Sequence, residues 1–172
     1  MIRLFLLASI IMFATTMCEN PKNSKDNQSV ELPMAKTILS LGDSYTIGQS
    51  VSESERWPNQ LAQALQDSGI QVEPPKIVAR TGWTTAELWS GIQNSQLDSV
   101  YDLVTLLIGV NDQYRGLGIN YFREGFLKLL NKAIEFAGND VDQVIVLSIP
   151  DYSVTPFAQG GDTARIRQEL DQ

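Results

Sequence analysis

The chain has 172 residues, enough for one domain with a sizeable core, and its 43% hydrophobic content excludes a disordered protein. Its 13 Lys and Arg against 20 Asp and Glu give a net charge of -7, and with no basic stripe this argues against a nucleic-acid partner. A single cysteine excludes an intrachain disulfide, and the absence of histidine excludes the usual zinc sites.

Arg3 is followed by the apolar run Leu4 to Ala14, which is too short to span a bilayer and fits the core of a secretory signal over residues 1–18. A buried terminal helix is the structural alternative. Cys18 follows and resembles the acylated cysteine of bacterial lipoproteins, although Thr15-Thr16-Met17 depart from the small-residue pattern of that processing site. The expectation is an exported protein, periplasmic, extracellular or lipid-anchored, with Cys18 as its one route to a membrane. Residues 19–35 are polar and without apolar period, a linker, and residues 36–172 read as the folded domain.

Thr37 to Leu41 reads as a fully buried strand that breaks at Gly42. Trp57-Pro58 opens a helix whose stripe is Leu61, Ala62 and Leu65, with Gly69 placed to end it. A short strand follows at Ile77 to Ala79. Thr84 and Glu87 form a capping box that starts the next helix. Tyr101 to Ile108 reads as a second buried strand. Asn120 to Ala137 reads as the longest helix, with Phe122, Phe126, Leu130, Ala133 and Ala137 on its apolar face and Gly138 stopping it. Val144 to Ile149 reads as a third buried strand, and another helical pattern starts at Thr163. Strands this continuously apolar, alternating with helices, predict a parallel sheet covered on both faces.

In such sheets ligands bind at the carboxyl ends of the strands. Three strand ends deliver Asp43-Ser44, Asn111-Asp112 and Asp151, and a fourth loop brings Gly82. Two chemistries compete there. In acyl transfer, Ser44 attacks an ester carbonyl, and the N–H groups of Ser44 and Gly82 with the Asn111 amide stabilise the developing oxyanion. In metal-assisted phosphoryl transfer, Asp43, Asp112 and Asp151 hold magnesium. The plain readings stay open beside them: Asp43 or Ser44 bonding local backbone, Gly82 as a turn glycine, Asn111 satisfying its own loop.

The order Gly42-Asp43-Ser44-Tyr45, then Gly82, then Gly109-Val110-Asn111-Asp112, with Gly48 and the Trp57-Pro58 helix start, resembles the SGNH, or GDSL-type, serine hydrolases. The resemblance runs from about Thr37 to the chain end. It implies a three-layer α/β/α flavodoxin-like fold, Ser44 as nucleophile, and an oxyanion hole from Ser44, Gly82 and Asn111. It also implies a small-molecule ester substrate and no metal or other cofactor.

The family's fourth block, Asp-x-x-His, has no counterpart in a chain without histidine. The sequence is therefore expected to lack the last strand and the catalytic base, and to be inactive or very weak as it stands. Serine at its free pKa needs an adjacent base. Lys36, Lys76, Lys128 and Lys132 fall at strand starts or on a helix, away from the rim. A non-catalytic ligand-binding remnant of the same fold is the alternative from another class. Specificity would lie in loops 49–56 and 113–118, the second of which carries Tyr114 and Arg115.

Overall fold

The computed structural model describes residues 34–171. The expected signal, Cys18 and all but the last two residues of the expected linker lie outside the described residues. Four parallel strands, β1 (Ile38–Gly42), β2 (Lys76–Ala79), β3 (Leu103–Leu107) and β4 (Val144–Val146), form one sheet in the order β2-β1-β3-β4. The helices are α1 (Ser44–Ile47), α2 (Trp57–Asp67), α3 (Thr85–Gln93), α4 (Val110–Tyr114), α5 (Ile119–Phe136) and α6 (Thr163–Leu170). Two of these, α1 and α4, are single turns that no periodicity announced, because a helix of four or five residues has no repeat to read.

Strand β1 is buried along its whole length, as a central strand covered on both faces must be. Leu39 and Leu41 point to one side, into a cluster with Leu88, Ile92, Leu106, Leu129 and Ala133 from α3, β3 and α5. Ile38 points to the other, against Ala62, Leu61 and Leu65 of α2. That is the three-layer arrangement. Side chains with no exposure at all, such as Leu39, Leu41 and Leu106, each contribute about 2–3 kcal/mol of transfer free energy. The polar pair inside the sheet is satisfied: Thr105 Oγ1 donates to Ser40 Oγ at 3.0 Å.

On α5 the most deeply buried residues are Leu129, Ala133 and Phe136. The expected Phe126 and Leu130 pack on the margin of that core. One expectation fails. Strand β4 stops at Val146 and is not buried, with Ile145 49% and Val146 48% exposed. The reason is its place: β4 pairs with β3 alone, so it is an edge strand that the helices do not fully cover.

The register fixes where the loops emerge. Gly42 is level with Ala79 of β2 and Leu107 of β3, so the segments after β1, β2 and β3 all leave the same end of the sheet. Gly42 itself has no room for a side chain, since a Cβ would run into Thr46 Oγ1 and lie 2.6 Å from the Leu107 carbonyl. That close approach lets the chain turn directly from β1 into α1.

Candidate active site

Asp43 is the cap of α1. Its Oδ1 accepts from the Tyr45 N–H at 3.0 Å, so the plain reading of this aspartate holds. The side chain is fully buried, and its second oxygen has no hydrogen-bond partner among the described residues. Burial pushes its carboxyl up to about 6, reinforced by the nearby Asp112 carboxylate and opposed by the Tyr45 N–H. Ser44 is therefore the first residue of α1, half-buried at the strand end. In that position its N–H has no acceptor one turn back, and none is found for it among the described residues.

Gly82 lies half-buried in the turn between β2 and α3 at φ +83°, a conformation that side chains other than glycine's resist. Its N–H has no partner among the described residues either, while its carbonyl accepts from Arg115 Nη2 at 2.5 Å. Asn111, the second residue of α4, is half-buried. Its Nδ2 donates to the Trp83 carbonyl at 2.9 Å, a bond to a different loop rather than to its own. The amide carries a second N–H, which that contact leaves over.

Asp112 is buried beside it and spans to the start of α3, where Thr85 N–H and Thr85 Oγ1 donate to its two oxygens at 3.0 and 2.6 Å. Burial raises its carboxyl, and the Thr85 bonds oppose that rise. Thr85 is in turn pressed by α5, where Gly125 would place a Cβ 2.6 Å from Thr85 Cβ. No sequence signal marked Thr85, Gly125 or the Arg115 contact. Each depends on segments far apart in the chain meeting in space.

The three aspartates weighed for magnesium do not converge. Asp43 and Asp112 act on each other, but Asp151 caps its own turn through Ser153 N–H and pairs with Arg167 at 3.2 Å. Among the described residues no group of three acidic, histidine or cysteine side chains is placed to hold a metal ion. Separate donors claim these carboxylates one by one, Tyr45 N–H for Asp43, Thr85 for Asp112 and Ser153 N–H for Asp151. The lysines are placed as expected: Lys36 pairs with Asp102, Lys128 sits over Trp89, and Lys132 pairs with Glu135.

A cavity of about 520 Å³ opens between β4, α5 and α6, lined by Ile108, Phe122, Phe126, Val146, Ile149 and Leu170. It reaches Gly109 and Gln113 on either side of Asn111 but touches none of Ser44, Gly82 or Asn111.

The fold is an α/β sandwich whose parallel sheet presents the loops of Ser44, Gly82 and Asn111 at the carboxyl ends of its strands. The chain belongs to the GDSL-like lipase/acylhydrolase family, whose sequence pattern matches residues 40–172, and by family it is an ester hydrolase. Solved structures share the fold. The SGNH-hydrolase family esterase AlinE4 superposes with a TM-score of 0.57 at 22% identity, covering 81% of this chain and 75% of that one. The lipase/acylhydrolase from Enterococcus faecalis gives 0.59 at 21%, covering 79% and 68%, and TesA gives 0.57 at 20%, covering 78% and 72%. No curated protein matches the chain.

Proposed function

We propose that this protein cleaves small-molecule esters with Ser44 as nucleophile. The observation that carries the reading is the pair of half-buried N–H groups, Ser44 and Gly82, that have no hydrogen-bond partner among the described residues at the carboxyl end of the sheet. Buried or half-buried N–H groups are seldom orphaned, and at a strand end such donors suit an incoming oxyanion. Ser44 Oγ attacks the carbonyl carbon, its proton passing to water or an added base that returns it to the leaving alkoxide, and the carbonyl π pair moves to oxygen. Ser44 N–H, Gly82 N–H and the free N–H of Asn111 stabilise that charge. Collapse of the tetrahedral species expels the alcohol and leaves an acyl-serine, which water then hydrolyses.

The proton on Ser44 is the weak point. The 172 residues include no histidine, and Asp43 is buried and committed to capping α1. Turnover by this chain is therefore slow, resting on the oxyanion donors, which by themselves are worth roughly 10³–10⁴ over water in serine hydrolases stripped of their base. Free imidazole should substitute for the absent base. Hydrolysis of p-nitrophenyl acetate is expected to rise with imidazole beyond the buffer reaction, and Ser44→Ala should remove that excess. An excess that persists in Ser44→Ala would overturn the assignment. Tight binding of the ester with no imidazole-dependent excess would favour the non-catalytic ligand-binding reading instead. Export through the Leu4 to Ala14 segment is part of the same proposal, and the N-terminal mass of protein recovered from the cell envelope tests it.

A further inference from the structure

Three side chains of α4 and its C-terminal cap reach across to the turn that carries Gly82. Asn111 holds the Trp83 carbonyl and Asp112 holds Thr85, as described above. Arg115, the cap residue of α4, completes the set. Its Nη2 donates to the Gly82 carbonyl and lies 3.3 Å from Glu87 Oε2, and its Nη1 donates to Glu87 Oε1 at 3.3 Å. Glu87 Oε2 also accepts from Thr84 N–H at 2.8 Å, so the acid that anchors the guanidinium is the one that closes the capping box of α3.

The consequence is a turn whose backbone groups are bonded in succession. The Gly82 carbonyl goes to Arg115, Trp83 N–H to the Arg80 carbonyl, the Trp83 carbonyl to Asn111, Thr84 N–H to Glu87 and Thr85 N–H to Asp112. With the peptide after Gly82 pinned at both ends, the direction of Gly82 N–H is set by that glycine's own two torsions. Glycine is the residue least able to hold a direction unaided. Arg115 suits the task because its planar fork engages a carbonyl and a carboxylate together, which a lysine ammonium does with less geometric control.

We propose that Arg115 is a positioning residue: by gripping the Gly82 carbonyl against Glu87 it aims Gly82 N–H as an oxyanion donor. The proposal rests on the reading of Ser44 and Gly82 given above. Removing an oxyanion donor outright costs on the order of 10²–10³ in kcat, so loosening one by Arg115→Ala should lower kcat by roughly tenfold or more. KM should stay within about twofold, because the lost interaction is made in the transition state.

The test is imidazole-supplemented hydrolysis of p-nitrophenyl acetate by wild type, Arg115→Ala and Arg115→Lys. The urea midpoint and the hydrogen-exchange rate of the Trp83 amide, which belongs to the peptide Arg115 grips, are read on the same samples. Expected are a fall in kcat, an unchanged midpoint, faster Trp83 exchange in Arg115→Ala, and partial recovery of both in Arg115→Lys. Unchanged kcat, or a rise in KM alone, would overturn the positioning role, the second by making Arg115 a substrate contact. A midpoint that falls in step with kcat would also overturn it, as a general loss of folding. If wild type shows no Ser44-dependent turnover, the reading of the site fails and the oxyanion role fails with it. The Trp83 exchange rate then still decides whether Arg115 holds the turn.

Discussion

At the scale of single residues, Asp43 carries the largest electrostatic cost at the site. Its carboxyl titrates at about 6 in the folded chain against 3.8 for the free side chain. Between those values the native state keeps the proton and the unfolded chain has lost it, so stability falls as pH rises through the interval and stays low above it. The full penalty is about 3 kcal/mol at neutral pH. Asp112, also raised by burial, acts with the same sign. Urea midpoints should therefore drop between pH 4.5 and pH 7. Asp43→Asn, which keeps an acceptor for Tyr45 N–H, should flatten that slope, and an equally steep slope in the variant would contradict the assignment. Asn111→Asp should be worse for hydrolysis than Asn111→Ala. It puts a negative charge where a donor is needed, so a loss beyond the ~10²–10³ of a missing donor is expected in kcat. Equal activities in the two variants would show that the Asn111 amide does not meet the oxyanion.

At the scale of elements, the periodic parts of the sequence were readable and the contacts between them were not. The Trp57 helix start, the Thr84–Glu87 capping box and Gly69 in the left-handed conformation appear where local rules place them. Those signals are carried by neighbours in the chain. The bonds that build the site join residues 27 to 33 positions apart: Asp112 to Thr85, Asn111 to Trp83, Arg115 to Gly82. No spacing rule reports such pairs. Strand β4 shows a second limit: the expected absence of a last strand already made it an edge, but its apolar run still read as buried through Ile149. Its half-exposed Ile145 and Val146 form an open strand edge, which favours self-association. Ile145→Lys is expected to lower light scattering at high protein concentration while changing stability by less than ~1 kcal/mol. Unchanged scattering would mean that this edge does not drive association.

At the scale of the whole molecule, the parallel order β2-β1-β3-β4 brings three distant loops to one end of the sheet. Register alone puts Gly42, Ala79 and Leu107 side by side, and the loops beyond them carry Ser44, Gly82 and Asn111. The sequence therefore disclosed which loops would share a rim. It did not disclose that α4 would bind the Gly82 turn at three points, or that Asp43 would be spent on a cap. The magnesium alternative looked open for the same reason: three aspartates at three strand ends give no hint that each is claimed by a different donor.

A covalent trap tests directly whether Ser44 Oγ is the atom that reacts. The protein would be incubated with a p-nitrophenyl alkylphosphonate in imidazole buffer, digested, and its peptides mapped by mass spectrometry. One phosphonyl adduct is expected, on Ser44, absent from Ser44→Ala and formed more slowly by Arg115→Ala. An adduct on another residue, or one on Ser44 that forms no faster than on free serine, would contradict it.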